Sequence, residues 1–86
     1  MELRISEQAK ADLEWFRAHD PKLYKRCFEL TPAVQADPYR GIGKPERLKS
    51  LGENVWSRRV SLEHRMVYEI FANLVVVSSF RYHHET

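Results

Sequence analysis

Residues 41–68, GIGKPERLKSLGENVWSRRVSLEHRMVY, decide how the chain is built. Before this stretch apolar residues recur at helical steps; inside it they alternate. Gly41 and Gly43 bracket a turn ahead of Pro45. Beyond that turn, strands are expected near 46–50, 55–61, 65–71 and 74–83, separated by turns at Gly52-Glu53-Asn54, Ser61-Leu62-Glu63 and Ala72-Asn73. Strands joined by turns this short pair antiparallel.

Upstream, the spacing predicts a short strand over 2–6 with Leu3 and Ile5 inward, then a helix capped by Ser6 and running to about His19. Ala9, Leu13 and Phe16 form its apolar face, with Trp15 at the rim of the core. Asp20-Pro21 starts a second helix, where proline's missing N–H costs nothing. Leu23, Cys27, Leu30 and Val34 mark its buried face. Pro32 removes a backbone donor, so a break or kink is expected there, and Asp37-Pro38 ends the helical region. The fold class is therefore α+β: a helical hairpin packed on one face of a twisted, mainly antiparallel sheet, in a single domain spanning 1–86.

Composition restricts the function classes. Eighty-six residues, 43% hydrophobic and 30% charged, suit one core rather than two or a disordered chain. No apolar run spans a bilayer, and the charged start MELRISEQAK lacks a signal-peptide core, so no membrane partner and a cytoplasmic location are expected. Cys27 is the lone cysteine, which excludes an internal disulfide and fits a reducing compartment. Charge is unevenly placed: residues 1–38 sum to −1 and residues 39–83 to +4, mostly as arginine. Guanidinium forks suit phosphate oxygens, although an ordinary solvated strand face has the same composition.

Strand alternation sorts these charges. If the more apolar set of each strand faces the helices, Arg59, Arg65, Arg81 and His83 converge on the uncovered face, with Val75 and Val77 beside the last two. Arg58 lands on the covered side and is expected near a strand end with its head group in water. Several arginines, one histidine and no metal-ligand cluster suit phosphodiester binding and RNA transesterification. A base takes the 2′-hydroxyl proton, cations stabilise the charge growing on the phosphate, and an acid protonates the departing 5′-oxygen. Glu46 is the candidate base, Arg65 and Arg59 the clamp, His83 the acid, and Lys44 and Lys49 backbone contacts. No cofactor and no metal is implied.

Plainer readings stand beside these. Glu46 is also a surface carboxylate in a turn, and His83 and His84 are also solvated residues near a chain end. His64 reads as a partner of the 61–63 turn, His19 as a complement to a helix C-terminus, and Cys27 as core.

The motifs GIGKPERLK, VWSRRVSLEHRMVYEI and RYHH together resemble the YoeB/Txe-type toxins of bacterial toxin–antitoxin pairs, within the RelE-like superfamily, over nearly the whole chain. The resemblance implies a ribosome-dependent mRNA interferase that cleaves mRNA in the 30S A site. It also implies a homodimer, and a cognate, YefM-like antitoxin that wraps a disordered segment around the toxin. It assigns Glu46 as general base, Arg65 as transition-state arginine, His83 as general acid, and Lys49 and Arg59 as RNA contacts. The family usually ends Arg-Tyr-His-Tyr. Here the end is Arg81-Tyr82-His83-His84-Glu85-Thr86, so His84 occupies the last aromatic position, where it would stack on a base or share the acid's work. Two other classes remain open: a non-catalytic ParE-like toxin that poisons gyrase, and an RNA-binding module that leaves RNA intact.

Overall fold

The computed structural model describes residues 1–81. Its elements are β1 (Glu2–Ile5), α1 (Glu7–His19), α2 (Pro21–Ala36), β2 (Glu46–Arg47), a 3-10 turn (Lys49–Leu51), β3 (Val55–Arg59), β4 (Arg65–Phe71) and β5 (Leu74–Ser79). The strands form one sheet in the order β1-β5-β4-β3-β2. All neighbours are antiparallel except β1, which runs parallel to β5 with Glu2 opposite Leu74 and Ile5 opposite Val77. The expected α+β layering is present, as a mixed rather than purely antiparallel sheet.

Local chemistry accounts for the helix limits. Ser6 Oγ accepts the Ala9 N–H, and Asp20 Oδ1 accepts the Leu23 N–H, so each helix start has one orphan donor satisfied. Asp20 also closes α1, donating its N–H to the Phe16 carbonyl, which is why the two helices need no loop between them. Pro32 does not break α2, which runs through it. Pro32 is exposed, and the preceding Thr31 hydroxyl donates to the Cys27 carbonyl.

Ala9 and Phe16 from α1, and Cys27, Leu30 and Val34 from α2, pack on Met66, Tyr68, Ile70, Val75, Val77 and Phe80. Val75 and Val77 thus lie on the covered side, contrary to the expected alternation. Val77 pairs with Tyr68 but Ser79 pairs with Val67, leaving Ser78 as an extra residue in a bulge. The bulge resets the register: Ser79 shares the open face with Val67, and Phe80 falls back into the core.

Asp12, 3% exposed, is an acid on the core side of α1. Its carboxylate accepts the Phe80 N–H at 2.9 Å and the Gln8 amide at 2.8 Å. It therefore fastens the end of β5 to α1, and with it the start of the Arg81 segment.

Candidate active site

The sheet face away from the helices carries the site. Glu46 pairs with Ser57, Ser57 with Val67, and Val67 with Ser79, so these four residues form one row across four strands. Arg59 and Arg65 pair in an adjacent row on the same face. Arg65 Nη1 donates to Glu46 Oε1 at 3.2 Å and to the buried Ser57 Oγ at 3.0 Å. Ser57 was not among the expected site residues; its parity with Arg59 and its place opposite the Glu46 strand were the available signals. Two anchors hold the Arg65 guanidinium in one orientation and leave its remaining N–H groups for another acceptor.

Three further cations are near in register or sequence, Arg59 opposite Arg65 and Lys44 and Lys49 within three residues of Glu46. Arg59, Lys44 and Lys49 are exposed and have no ion pair among the described residues. Lys44 has φ 51°, a left-handed backbone that costs a non-glycine residue about 1 kcal/mol. Such a conformation persists only where the surroundings impose it. Here Gly43 on one side is hydrogen-bonded to Arg59, and Pro45 and the Glu46 pairing follow on the other.

Two expectations are corrected. Arg81 does not join the open-face group: its guanidinium carbon lies 3.7 Å from the centroid of the Trp15 ring on α1. His19 also stacks on that indole, at 4.5 Å with an interplanar angle of 15°. A cation against the electron-rich ring is worth about 0.5–2 kcal/mol, enough to draw the side chain toward the helix layer.

Arg58 is not at a strand end in water. It is fully buried. Its Nη2 donates to the carbonyls of Asp37 and Arg40, its Nη1 to that of Ile42, and its Nε to Tyr68 Oη. Burial raises the Tyr68 phenol above its usual range, and the bond from Arg58 opposes part of that rise.

His64 is buried at the turn, as its sequence context suggested. Its N–H donates to Ser61 Oγ, and its ring packs edge-on against Phe16 at 5.1 Å. His83 and His84 lie outside the described residues.

The open sheet face thus carries a carboxylate in contact with one arginine and a second arginine opposite, with Lys44 close in sequence to the carboxylate. Residues 5–84 match the model of the YoeB-like toxin of bacterial type II toxin–antitoxin system. The chain belongs to the YoeB-like toxin family.

Among YoeB relatives, a Synechocystis toxin is 41% identical over 85 residues, covering 99% of both chains. A YoeB/ParE toxin from Agrobacterium tumefaciens superposes with a TM-score of 0.89 at 30% identity, over 98% of this chain and 100% of that one. YoeB of Staphylococcus aureus, solved as a dimer, gives a TM-score of 0.86 at 36% identity over 98% of both chains. The same toxin in a heterotetrameric complex with YefM gives 0.82, with the same identity and coverage. The fold of this chain is thus shared with these solved YoeB structures.

Proposed function

We propose that this YoeB-family toxin is a ribosome-dependent mRNA endoribonuclease that cleaves A-site mRNA by attack of a ribose 2′-hydroxyl. The observation that carries this reading is the contact of Glu46 with Arg65 on the open face, with Arg59 opposite and without an ion pair among the described residues. Glu46 takes the 2′-hydroxyl proton and the 2′-oxygen attacks the adjacent phosphorus. Arg65 and Arg59 face the charge that develops on the non-bridging oxygens. His83 returns a proton to the leaving 5′-oxygen, so the products end in a 2′,3′-cyclic phosphate and a 5′-hydroxyl. Lys44 and Lys49 hold the flanking backbone. DNA lacks the attacking group and is not a substrate.

Partners follow from the relatives. The solved complex of the Staphylococcus aureus toxin with YefM supports a YefM-like antitoxin for this chain, and the solved dimer supports self-association. Among the described residues no helix is long and apolar enough to cross a membrane. The site of action we assign is the translating ribosome in the cytoplasm.

Mapping of mRNA ends after induction tests the reading, with Glu46→Gln as control. Discrete stops within codons are expected for the wild type, with a loss of about 100-fold or more in Glu46→Gln. Arrested growth with DNA breaks and intact mRNA would favour a gyrase poison instead.

A further inference from the structure

The cleavage scheme has no use for Arg58, the largest fully buried side chain among the described residues. Among the described residues no carboxylate pairs with it. A buried guanidinium without an acid is expensive unless its donors are all met by oriented oxygens. Here the oxygens come from one loop. Arg58 takes the carbonyls of Asp37, Arg40 and Ile42, and Tyr68 Oη, which accepts from Arg58 Nε, donates to the Pro38 carbonyl at 2.7 Å. Two side chains thus hold four carbonyls between residues 37 and 42.

That loop leads directly to Glu46. The next residue, Gly43, accepts the Arg59 N–H at 2.6 Å; Lys44 follows in its left-handed conformation, and then Pro45 and Glu46. The loop wraps the guanidinium so closely that a Cβ on Gly41 would lie 2.9 Å from Arg58 Nη1, and one on Gly43 3.0 Å from Arg58 Cβ. The strand carrying Glu46 is only two residues long, at the edge of the sheet. So short a ladder does not fix a side chain by itself.

We infer that Arg58 is a positioning residue for Glu46: it gathers the 37–43 loop around a buried cation and thereby sets where the carboxylate stands relative to Arg65. The inference rests on the reading of Glu46 as the base. It does not give Arg58 contact with RNA, since its side chain lies beneath the sheet on the helix side. Arginine is required because a planar fork meets several carbonyls at fixed angles, whereas lysine offers one compact charge.

The test compares purified wild type, Arg58→Lys and Tyr68→Phe in single-turnover cleavage on programmed ribosomes, with folding checked by circular dichroism. A displaced base slows the chemical step more than it weakens binding. At saturating ribosomes, Arg58→Lys is expected to lower the cleavage rate constant at least ~10-fold while the half-saturating concentration moves less than ~3-fold. Tyr68→Phe keeps the cation and its three carbonyls and removes the two hydrogen bonds of the hydroxyl, so a smaller fall, about 2- to 5-fold, is expected in the same constant.

Lowered thermal stability with an unchanged rate per folded molecule would make Arg58 scaffold alone and overturn the inference. If Arg58→Lys does not fold, Tyr68→Phe decides, and an unchanged rate constant overturns it. A wild type that leaves mRNA intact sinks the nuclease reading and this inference with it. A cleaving wild type beside an unimpaired, folded Arg58→Lys sinks the inference alone.

Discussion

Arg59 and Arg65 stand directly opposite one another on β3 and β4, both on the uncovered face, and among the described residues only Arg65 has a carboxylate in contact. Like charges at opposed strand positions destabilise a sheet by roughly 0.2–1 kcal/mol. On the proposed function, an RNA phosphate would relieve this repulsion. Arg59→Gln is therefore expected to be as stable as the wild type or slightly more stable. RNA association should weaken, with the slope of log K against log salt shallower by about 1. Urea melts and a salt series of binding curves check both halves; a loss of stability beyond ~1 kcal/mol would contradict the first.

Asp12 joins α1 to the backbone after β5 through the Phe80 N–H. Asp12→Ala leaves that buried donor without an acceptor, at an expected cost of about 1–3 kcal/mol. Asp12→Asn keeps an acceptor oxygen and should cost less. Exchange of the Phe80 amide, followed by NMR, should speed up in Asp12→Ala first.

Gly43 has φ +88°, and a Cβ there would meet Leu30 Cδ2 at 2.8 Å and Arg58 Cβ at 3.0 Å. Gly43→Ala adds backbone strain to a clash with the core, and a loss of more than ~1 kcal/mol is expected. A denaturant midpoint equal to that of the wild type would show that the loop can move aside at no cost.

Cys27 is buried, and burial pushes its thiol up to about 12. Tyr68 is raised in the same direction by the same cause. Both groups lose their protons more readily in the unfolded chain than in the native state. Stability from these groups is thus full below their unfolded pKa values and falls as pH rises. For Cys27 the decline begins near 9 and continues to about 12. Its limiting slope is about 1.4 kcal/mol per pH unit. Melting temperatures between pH 8 and 11 should drop, less steeply in Cys27→Ala. Iodoacetamide at pH 8 should label Cys27 only after unfolding.

Much of the architecture followed from residue chemistry alone. The caps Ser6 and Asp20, the helical steps of Leu23, Cys27, Leu30 and Val34, and the alternation in 55–59 and 65–71 placed both helices and the middle of the sheet. Alternation failed in β5, where the inserted Ser78 changes sides in a way that two adjacent serines do not announce. Arg59 and Arg65 share the open face as parity required, and Glu46, which parity did not place, contacts Arg65 there.

Arg58 and Arg81 did not behave as solvent-seeking cations. A sequence states a charge, but not how many carbonyls a loop will turn inward, nor that Trp15 offers a flat partner across the core. Pro32 was overweighted as a helix breaker, because one lost bond on an exposed helix side is outweighed by Leu30 and Val34 packing on either side of it.

The parallel pairing of β1 with β5 sets a timetable for the nascent chain. Ser6 bonds to the Ser78 carbonyl across 72 positions of sequence, so the earliest-made strand has no neighbour until the last has been synthesised. Until β5 is made, a growing polypeptide lacks the strand on which both α1 and β1 rest, and contacts this remote in sequence form late. A translating cell therefore meets the assembled molecule only after β5 has been made.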